Sequence, residues 1–240
     1  PIKVLGVGGT ENLTGVIQVV GQPYTSHALT STGNVYSWGS NEYGECGDGT
    51  TTNRLTPVQV VGVGGTGYLE NIIKLSHDGY ARGIMALGSN GLVYAWGYNA
   101  YGQLGQGDTT NSSTPVIVKS VNGTNDLENI VDIASGGDHA FALDSSGNVY
   151  GWGYGEYIGI SNSTANVTTP QKLPISNMAA IGAERFGGSA MDADGNVFAW
   201  SASNSNGHVG DGTTTNRYTP VAVKDVGGTE QLNLKSKDPP

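Results

Sequence analysis

Cysteine is nearly missing from this chain: Cys46 is the only one in 240 residues. A single thiol excludes an internal disulfide framework and leaves the redox compartment undecided. Charge is scarce too. Charged residues make up 13% of the chain, and 11 Lys and Arg stand against 20 Asp and Glu, a formal net charge of −9. A nucleic-acid phosphate footprint or an anionic membrane surface needs clustered basic residues, so neither is an expected partner. No apolar run approaches the length that spans a bilayer, and no membrane insertion is expected. Helical periodicity is absent as well, because Gly and Pro recur too often to leave room for a long helix.

Glycine is abundant, with 39 residues, and much of it falls in a repeated phrase. Gly33-Asn34-Val35-Tyr36-Ser37-Trp38-Gly39 returns as Gly91-Leu92-Val93-Tyr94-Ala95-Trp96-Gly97, as Gly147-Asn148-Val149-Tyr150-Gly151-Trp152-Gly153 and as Gly195-Asn196-Val197-Phe198-Ala199-Trp200-Ser201. All four tryptophans occupy the same place, at spacings of 58, 56 and 48 residues, so the chain is an array of similar units. Each phrase opens with a Gly-containing turn after a short apolar run (Ala28-Leu29, Ala86-Leu87, Ala142-Leu143, Ala190-Met191). Alternation with a period of two follows, which is the signature of a β-hairpin. Trp38, Trp96, Trp152 and Trp200 are therefore expected to be structural, in the core or between units.

Around each hairpin lie two further strand-like segments. An apolar run precedes it: Val16–Val20, Ile72–Leu75, Ile130–Ile133 and Met178–Ile181. A short strand opening on Pro57, Pro115, Pro170 or Pro220 follows the loop after Trp, and Pro at a strand's first residue points to an edge. Four strands per unit predict an all-β fold, a β-propeller-like array of four-stranded antiparallel blades. The expected organisation is one domain over 1–240. Its approximate repeats are 1–56, 57–114, 115–169 and 170–219, with a partial fifth over 220–240. Spare strands remain at both ends: residues 1–5 are of the outer type, and Leu232–Lys235 are of the inner type. A chain that begins at Pro1 without Met is expected to be a processed chain or an excised fragment.

Several motifs suggest chemistry and are better explained structurally. Gly62-Val63-Gly64-Gly65-Thr66-Gly67 fits G-x-G-x-x-G, but Tyr68–Ile72 leads into a strand rather than the helix a pyrophosphate requires. Asp192-Ala193-Asp194-Gly195-Asn196 has the oxygen density of a calcium loop, lacks its distal Glu and coincides with a hairpin turn. Asp48 and Asp211 lie in equivalent Gly-Asp-Gly-Thr turns. Cys46 stands where other units have Leu104 and Val209, the place of a small buried hydrophobe. None of His27, His77, His139 and His208 lies at metal-ligand spacing from another His or a Cys. No catalytic, metal or cofactor residue is assigned. Sequons at Asn12, Asn111, Asn122, Asn162 and Asn166 are glycosylation candidates if the protein is secreted.

The second unit, Ala86 to Val118, reads Ala-Leu-x-x-x-Gly-x-Val-Tyr-x-Trp-Gly-x-Asn-x-Tyr-Gly-x-Leu-Gly-x-Gly and ends in Thr-Pro-Val-x-Val. This phrase resembles the regulator of chromosome condensation (RCC1) repeat, and the likeness is to a bacterial or archaeal extracellular RCC1-like repeat protein. It covers nearly the whole chain. The resemblance implies a propeller, usually of seven blades, where this chain has four full units. Unit three departs in its shortened loop Gly155–Gly159, and unit four lacks the Gly after its Trp. The family's precedents are a guanine-nucleotide exchange factor that also docks on chromatin and a secreted bacterial inhibitor of β-lactamases. His139 stands where the family often has a His.

The expected function is a non-enzymatic structural or interaction module, extracellular or at the cell surface. It is expected to self-assemble head-to-tail, as a homo-oligomer or filament, through Pro1, Ile2, Lys3, Val4, Leu232, Asn233, Leu234 and Lys235. The alternative is a closed or truncated propeller that binds another protein through its loop face. Tyr43, Tyr98, Tyr101, Tyr154 and Tyr157 are the candidate contacts in that case. No cofactor is expected in either.

Overall fold

A computed structural model describes residues 3–76 and 82–235. Its 16 strands form four antiparallel sheets of four consecutive strands each, the expected propeller-type blades. Blade one holds β1 (Val16–Gly21), β2 (Thr25–Thr30), β3 (Val35–Gly39) and β4 (Arg54–Gln59). Blade two holds β5 (Ile72–Ser76), β6 (Gly83–Gly88), β7 (Val93–Gly97) and β8 (Ser112–Ile117). Blade three holds β9 (Ile130–Ser135), β10 (His139–Asp144), β11 (Val149–Tyr154) and β12 (Asn166–Lys172). Blade four holds β13 (Met178–Glu184), β14 (Gly187–Asp192), β15 (Val197–Ser201) and β16 (Arg217–Ala222). Among the described residues no helix is long and apolar enough to cross a membrane.

The blades are phased differently from the expected repeats. The Pro-containing strand closes its own blade, pairing with the Trp strand, instead of opening the next unit. Nor is Pro its first residue. Pro57 lies inside β4, at the place where the β3–β4 register skips from Ser37↔Val58 to Gly39↔Arg54. The other three blades skip at the same point. An edge strand at a bulge is where a residue without an N–H removes no ladder bond.

Hairpin turns double as docking points. Gly33 takes a φ of +81°, and the next blade begins when Ile72 N–H donates to its carbonyl at 3.1 Å. Ile130 on Gly91 and Met178 on Gly147 repeat the bond. A Cβ at Gly33 would lie 3.0 Å from the Asn71 backbone, so only glycine permits the approach. Asn71, Asn129 and Asn177 approach these turns in the left-handed region, with φ of 60°, 60° and 63°.

The first strands β1, β5, β9 and β13 neighbour one another in that order from blade to blade. Gln18 binds both the N–H and the carbonyl of Leu75, at 2.9 and 2.8 Å. Lys74 pairs with Asp132 one blade further on. Apolar packing lies between the sheets, in three clusters that each join consecutive blades. Every cluster is sealed by a tryptophan from the later blade. Trp96 Nε1–H donates to the Glu45 carbonyl (2.9 Å), Trp152 to Gln103 (2.9 Å) and Trp200 to Tyr157 (3.1 Å).

The receiving loops are built for the indole. A Cβ on Gly47, Gly105 or Gly159 would sit 2.7, 2.9 or 2.8 Å from the indole nitrogen. In blades one, two and four a buried Asn pins the loop. Asn99 Oδ1 accepts from Leu104 N–H, while its amide donates to the Asp108 and Thr110 carbonyls. Asn41 and Asn204 repeat this arrangement.

Trp38 departs from the expectation of burial. No blade precedes it among the described residues, and it is half-exposed, whereas Trp96, Trp152 and Trp200 are 0% exposed. Truncating a fully buried Trp removes its packing and leaves a cavity. Trp152→Ala is therefore expected to lower stability by about 3–5 kcal/mol in urea unfolding, and Trp38→Ala by clearly less.

Candidate interaction surface

One edge of the blades gathers the loops that follow each Trp strand and those that enter each second strand. Tyr43, Tyr98, Tyr101, Tyr154 and Tyr157 meet there as one continuous rail of rings. Successive centroids lie 5.0, 6.3, 5.6 and 4.7 Å apart, and Phe186 extends the line 5.5 Å beyond Tyr157. Most pairs stand edge to face, the arrangement that suits the ring quadrupole. All six rings are half-buried, so each packs on its neighbour and still presents an edge or face to solvent. Arg82 closes one end, over Tyr43 at 5.0 Å and Tyr24 at 5.6 Å, with Glu42 on its guanidinium. Arg185 closes the other, 5.0 Å over Phe186. Burial and neighbouring rings push the phenols of Tyr98 and Tyr157 above the ordinary tyrosine range, so both stay neutral at physiological pH.

The rail exists because pinned loops place equivalent positions in register. Tyr98 and Tyr154 are equivalent: their N–H groups donate to the Arg82 and Asp138 carbonyls, at 3.0 and 2.9 Å. Sequence reasoning singled out the five tyrosines and missed Tyr24, Arg82, Arg185 and Phe186. A signal was available for three of these. Tyr24, Arg82 and Phe186 each precede the first residue of a second strand, a position that becomes visible once the blades are aligned.

Other expectations resolve as follows. Pro1, Ile2 and His77 lie outside the described residues. Lys3 and Val4 are exposed and belong to no strand; the Val4 carbonyl accepts from Leu13 N–H at 3.0 Å, and Leu5 bridges Asn12. Leu232–Lys235 is laid across the last hairpin turn. Leu234 N–H donates to the Gly195 carbonyl (2.9 Å), the bond with which each later blade begins, and Asn233 bridges Asn196. Asn12, Asn111, Asn122, Asn162 and Asn166 are exposed. Two of them have structural work: Asn111 Oδ1 accepts from Asn99 N–H and Asn166 Nδ2 donates to the Ala100 carbonyl.

The motifs with chemical overtones are structural. The G-x-G-x-x-G stretch forms a single 3-10 turn, Val63–Gly65, between the bridged residues Val61 and Tyr68. Asp192 spends its carboxylate on the N–H groups of Asp194 and Asn196 and the Asn196 amide. Burial works against ionisation of Asp48, but bonds from Thr50 and Arg54 overcome it and hold the carboxyl below its usual range. Among the described residues no cluster of His, Cys, Asp and Glu could hold a metal ion. Burial pushes the Cys46 thiol up to about 12, so no reactive thiolate forms at neutral pH. Ser201, His208 and Glu184 do meet, at 2.9 and 3.4 Å, but both contacts use His208 Nε2. A relay needs the carboxylate on the opposite ring nitrogen, so this trio cannot activate the hydroxyl.

His139 is a structural group at the seam between blades three and four. Its ring contacts Tyr157 and Phe141, Nε2 meets the Gly187 carbonyl at 2.8 Å, and Nδ1 is buried without a hydrogen-bond partner. Burial pushes its pKa from 6.5 down to about 4. The unfolded chain therefore takes the proton first. Stability is complete above about pH 6.5 and is lost as the pH falls toward 4, by on the order of 3 kcal/mol. Urea midpoints measured across that window should fall less steeply in His139→Gln than in the wild-type chain.

Four blades joined at three Trp-sealed seams, with an aromatic loop edge, define a propeller-type repeat array. The model described as "Regulator of chromosome condensation (RCC1) repeat" matches residues 32–76 and 90–143, and a second model of that description matches 130–157. The human E3 ubiquitin-protein ligase HERC2 is 31% identical over 207 residues, 85% of this chain and 4% of that protein. Human WBSCR16 superposes with a TM-score of 0.76 at 24% identity, over 90% of this chain and 55% of that one. Prp20p from Saccharomyces cerevisiae, whose structure is described together with its binding to Gsp1p and histones, gives 0.67 at 25% identity, over 94% and 52%. The chain thus spans about half of these solved chains and a small part of HERC2. Residues 32–76 and 90–157 resemble RCC1 repeats, and the fold is of the propeller type.

Proposed function

We propose that this chain is a non-enzymatic protein-interaction module that docks another protein on its tyrosine rail. The observation that carries this reading is the continuity of the rail. Rings from blades one to four form a single line with an arginine at each end. Rigid, half-buried aromatics and arginines are the residues that dominate protein interfaces, because they bury area at little entropic cost. Its similarity to Prp20p, described with protein partners, supports a protein ligand; the acidic balance of this chain speaks against nucleic acid. The test is panning a displayed random-peptide library on the immobilised chain. Selected binders should lose about thirtyfold in affinity on Tyr98→Ser/Tyr154→Ser and be unaffected by Tyr68→Ser, an exposed tyrosine away from the rail. Binders that ignore the rail variant would overturn the reading.

An extracellular or cell-surface location is proposed with it, supported by the scarcity of lysine and by exposed sequons at Asn12, Asn122 and Asn162. Glycosidase treatment of native material should lower its mass; an unchanged mass would remove that support.

A further inference from the structure

Beside the rail runs a second row, made of the residue that precedes each second strand: Tyr24, Arg82, Asp138 and Phe186. The backbone fixes this row, because each of its carbonyls accepts from the second residue after a tryptophan. Ser40 N–H donates to Tyr24 at 2.8 Å, Tyr98 to Arg82 at 3.0 Å, Tyr154 to Asp138 at 2.9 Å and Ala202 to Phe186 at 2.9 Å. The four places are equivalent, and a ring, a cation, a carboxylate and a ring occupy them in turn.

Between blades one and two the chain fills this edge with its own cation. The Arg82 guanidinium lies 5.0 Å over Tyr43 and 5.6 Å over Tyr24, and the Glu42 carboxylate meets it at 3.1 Å. Ring faces and a carboxylate together hold a guanidinium there. Tyr101 is the equivalent of Tyr43, since each N–H donates to the side chain two residues on, Gln103 or Glu45. The place that Arg82 holds beside Tyr43 is held by Asp138 in the next blade.

The interior of the rail, between blades two and three, is therefore aromatic and acidic. Tyr101 and Tyr154 meet across the seam at 5.6 Å, with Tyr98 and Tyr157 on either side. Among the described residues no lysine or arginine lies over Tyr101, Tyr154 or Tyr157. Burial is the first cause that raises the phenols of Tyr98 and Tyr157, but the charge of Asp138 contributes at both and that of Glu156 at Tyr157. Asp138 and Glu156 are half-buried, within reach of a ligand. A ring face is already negative, and carboxylates beside it deepen that potential.

We propose that this central stretch of the rail binds an arginine side chain of the docking partner, its guanidinium over Tyr101 and Tyr154 and its N–H groups on the Asp138 carboxylate. The inference rests on the rail reading and adds the chemistry of the partner, a peptide segment that carries arginine. Arginine suits the site better than lysine, because a planar guanidinium stacks on rings while its edge pairs with a carboxylate. The formal net charge of −9 favours encounter with such a segment.

The test is a chemical-shift titration of the tyrosine-labelled chain with a short peptide holding one arginine between glycine and serine residues. Ring signals of Tyr101 and Tyr154 should move. The same peptide with citrulline, which keeps the shape and loses the charge, should bind about tenfold more weakly. Asp138→Asn should cost the arginine peptide about tenfold and leave the citrulline peptide unaffected. Glu156→Gln, at a place that adds charge only, should cost about twofold and serves as the second variant should Asp138→Asn disturb folding, which urea midpoints report. Equal binding of the two peptides overturns the proposal, as does a lysine peptide that binds more tightly than the arginine one. Library binders that need Tyr98 and Tyr154 yet hold Asp138→Asn at full strength overturn it too, and leave the docking reading standing. Binders that ignore the rail variant remove the docking reading itself, and the arginine site with it.

Discussion

The insertion of each tryptophan into the glycine loop of the preceding blade is the contact on which the rest of this array depends. An indole can enter only where the loop carries no Cβ, which accounts for Gly47, Gly105 and Gly159. The loop can present a carbonyl to Nε1–H only if its own shape is held. In blades one and two Asn41 and Asn99 hold it from inside, and their side chains are 0% exposed. A buried amide that satisfies several backbone groups at once fixes one conformation and would be costly in any other. Packing, polar satisfaction and glycine placement thus serve a single joint, repeated blade after blade.

The loop edge inherits its order from that joint. Because the loops are pinned, residues on their outer side fall at equivalent places, and aromatic side chains from neighbouring blades come within ring contact of one another. Tyr157 shows how closely the two roles are linked. Its carbonyl accepts from Trp200 inside the seam, while its ring stands in the rail against Tyr154 and Phe186. The shortened loop of blade three, which lacks the Asn clamp, retains both the seal and the surface through this one residue.

Much of the fold could be read in the chain. The hairpins were legible because a turn of left-handed glycine followed by strict alternation is a local signal. The role of Cys46 was legible because Leu104 and Val209 occupy its place in other units. The phase of the blades was not. A strand beginning near Pro57 follows a long loop, and nothing local says whether it pairs backward with β3 or forward with β5; hydrogen bonding across the sheet settles that. Arg82 and Phe186 also went unread, since Arg and Phe share no property that a repeat search would align. Their equivalence is one of backbone position.

By itself the sequence determined the class of fold, the number of full units, the turns and the residues that seal the seams. These depend on local conformation and on a periodic pattern, and both are written in residue order. Only the tertiary structure decided which side of each blade is covered. Trp38 and Trp96 sit in the same phrase, yet one is half-exposed and the other completely buried, because burial belongs to the neighbour and not to the residue. The same reason separates a scatter of tyrosines in the sequence from a continuous rail in space: ring contact is a relation between blades, and only their packing creates it.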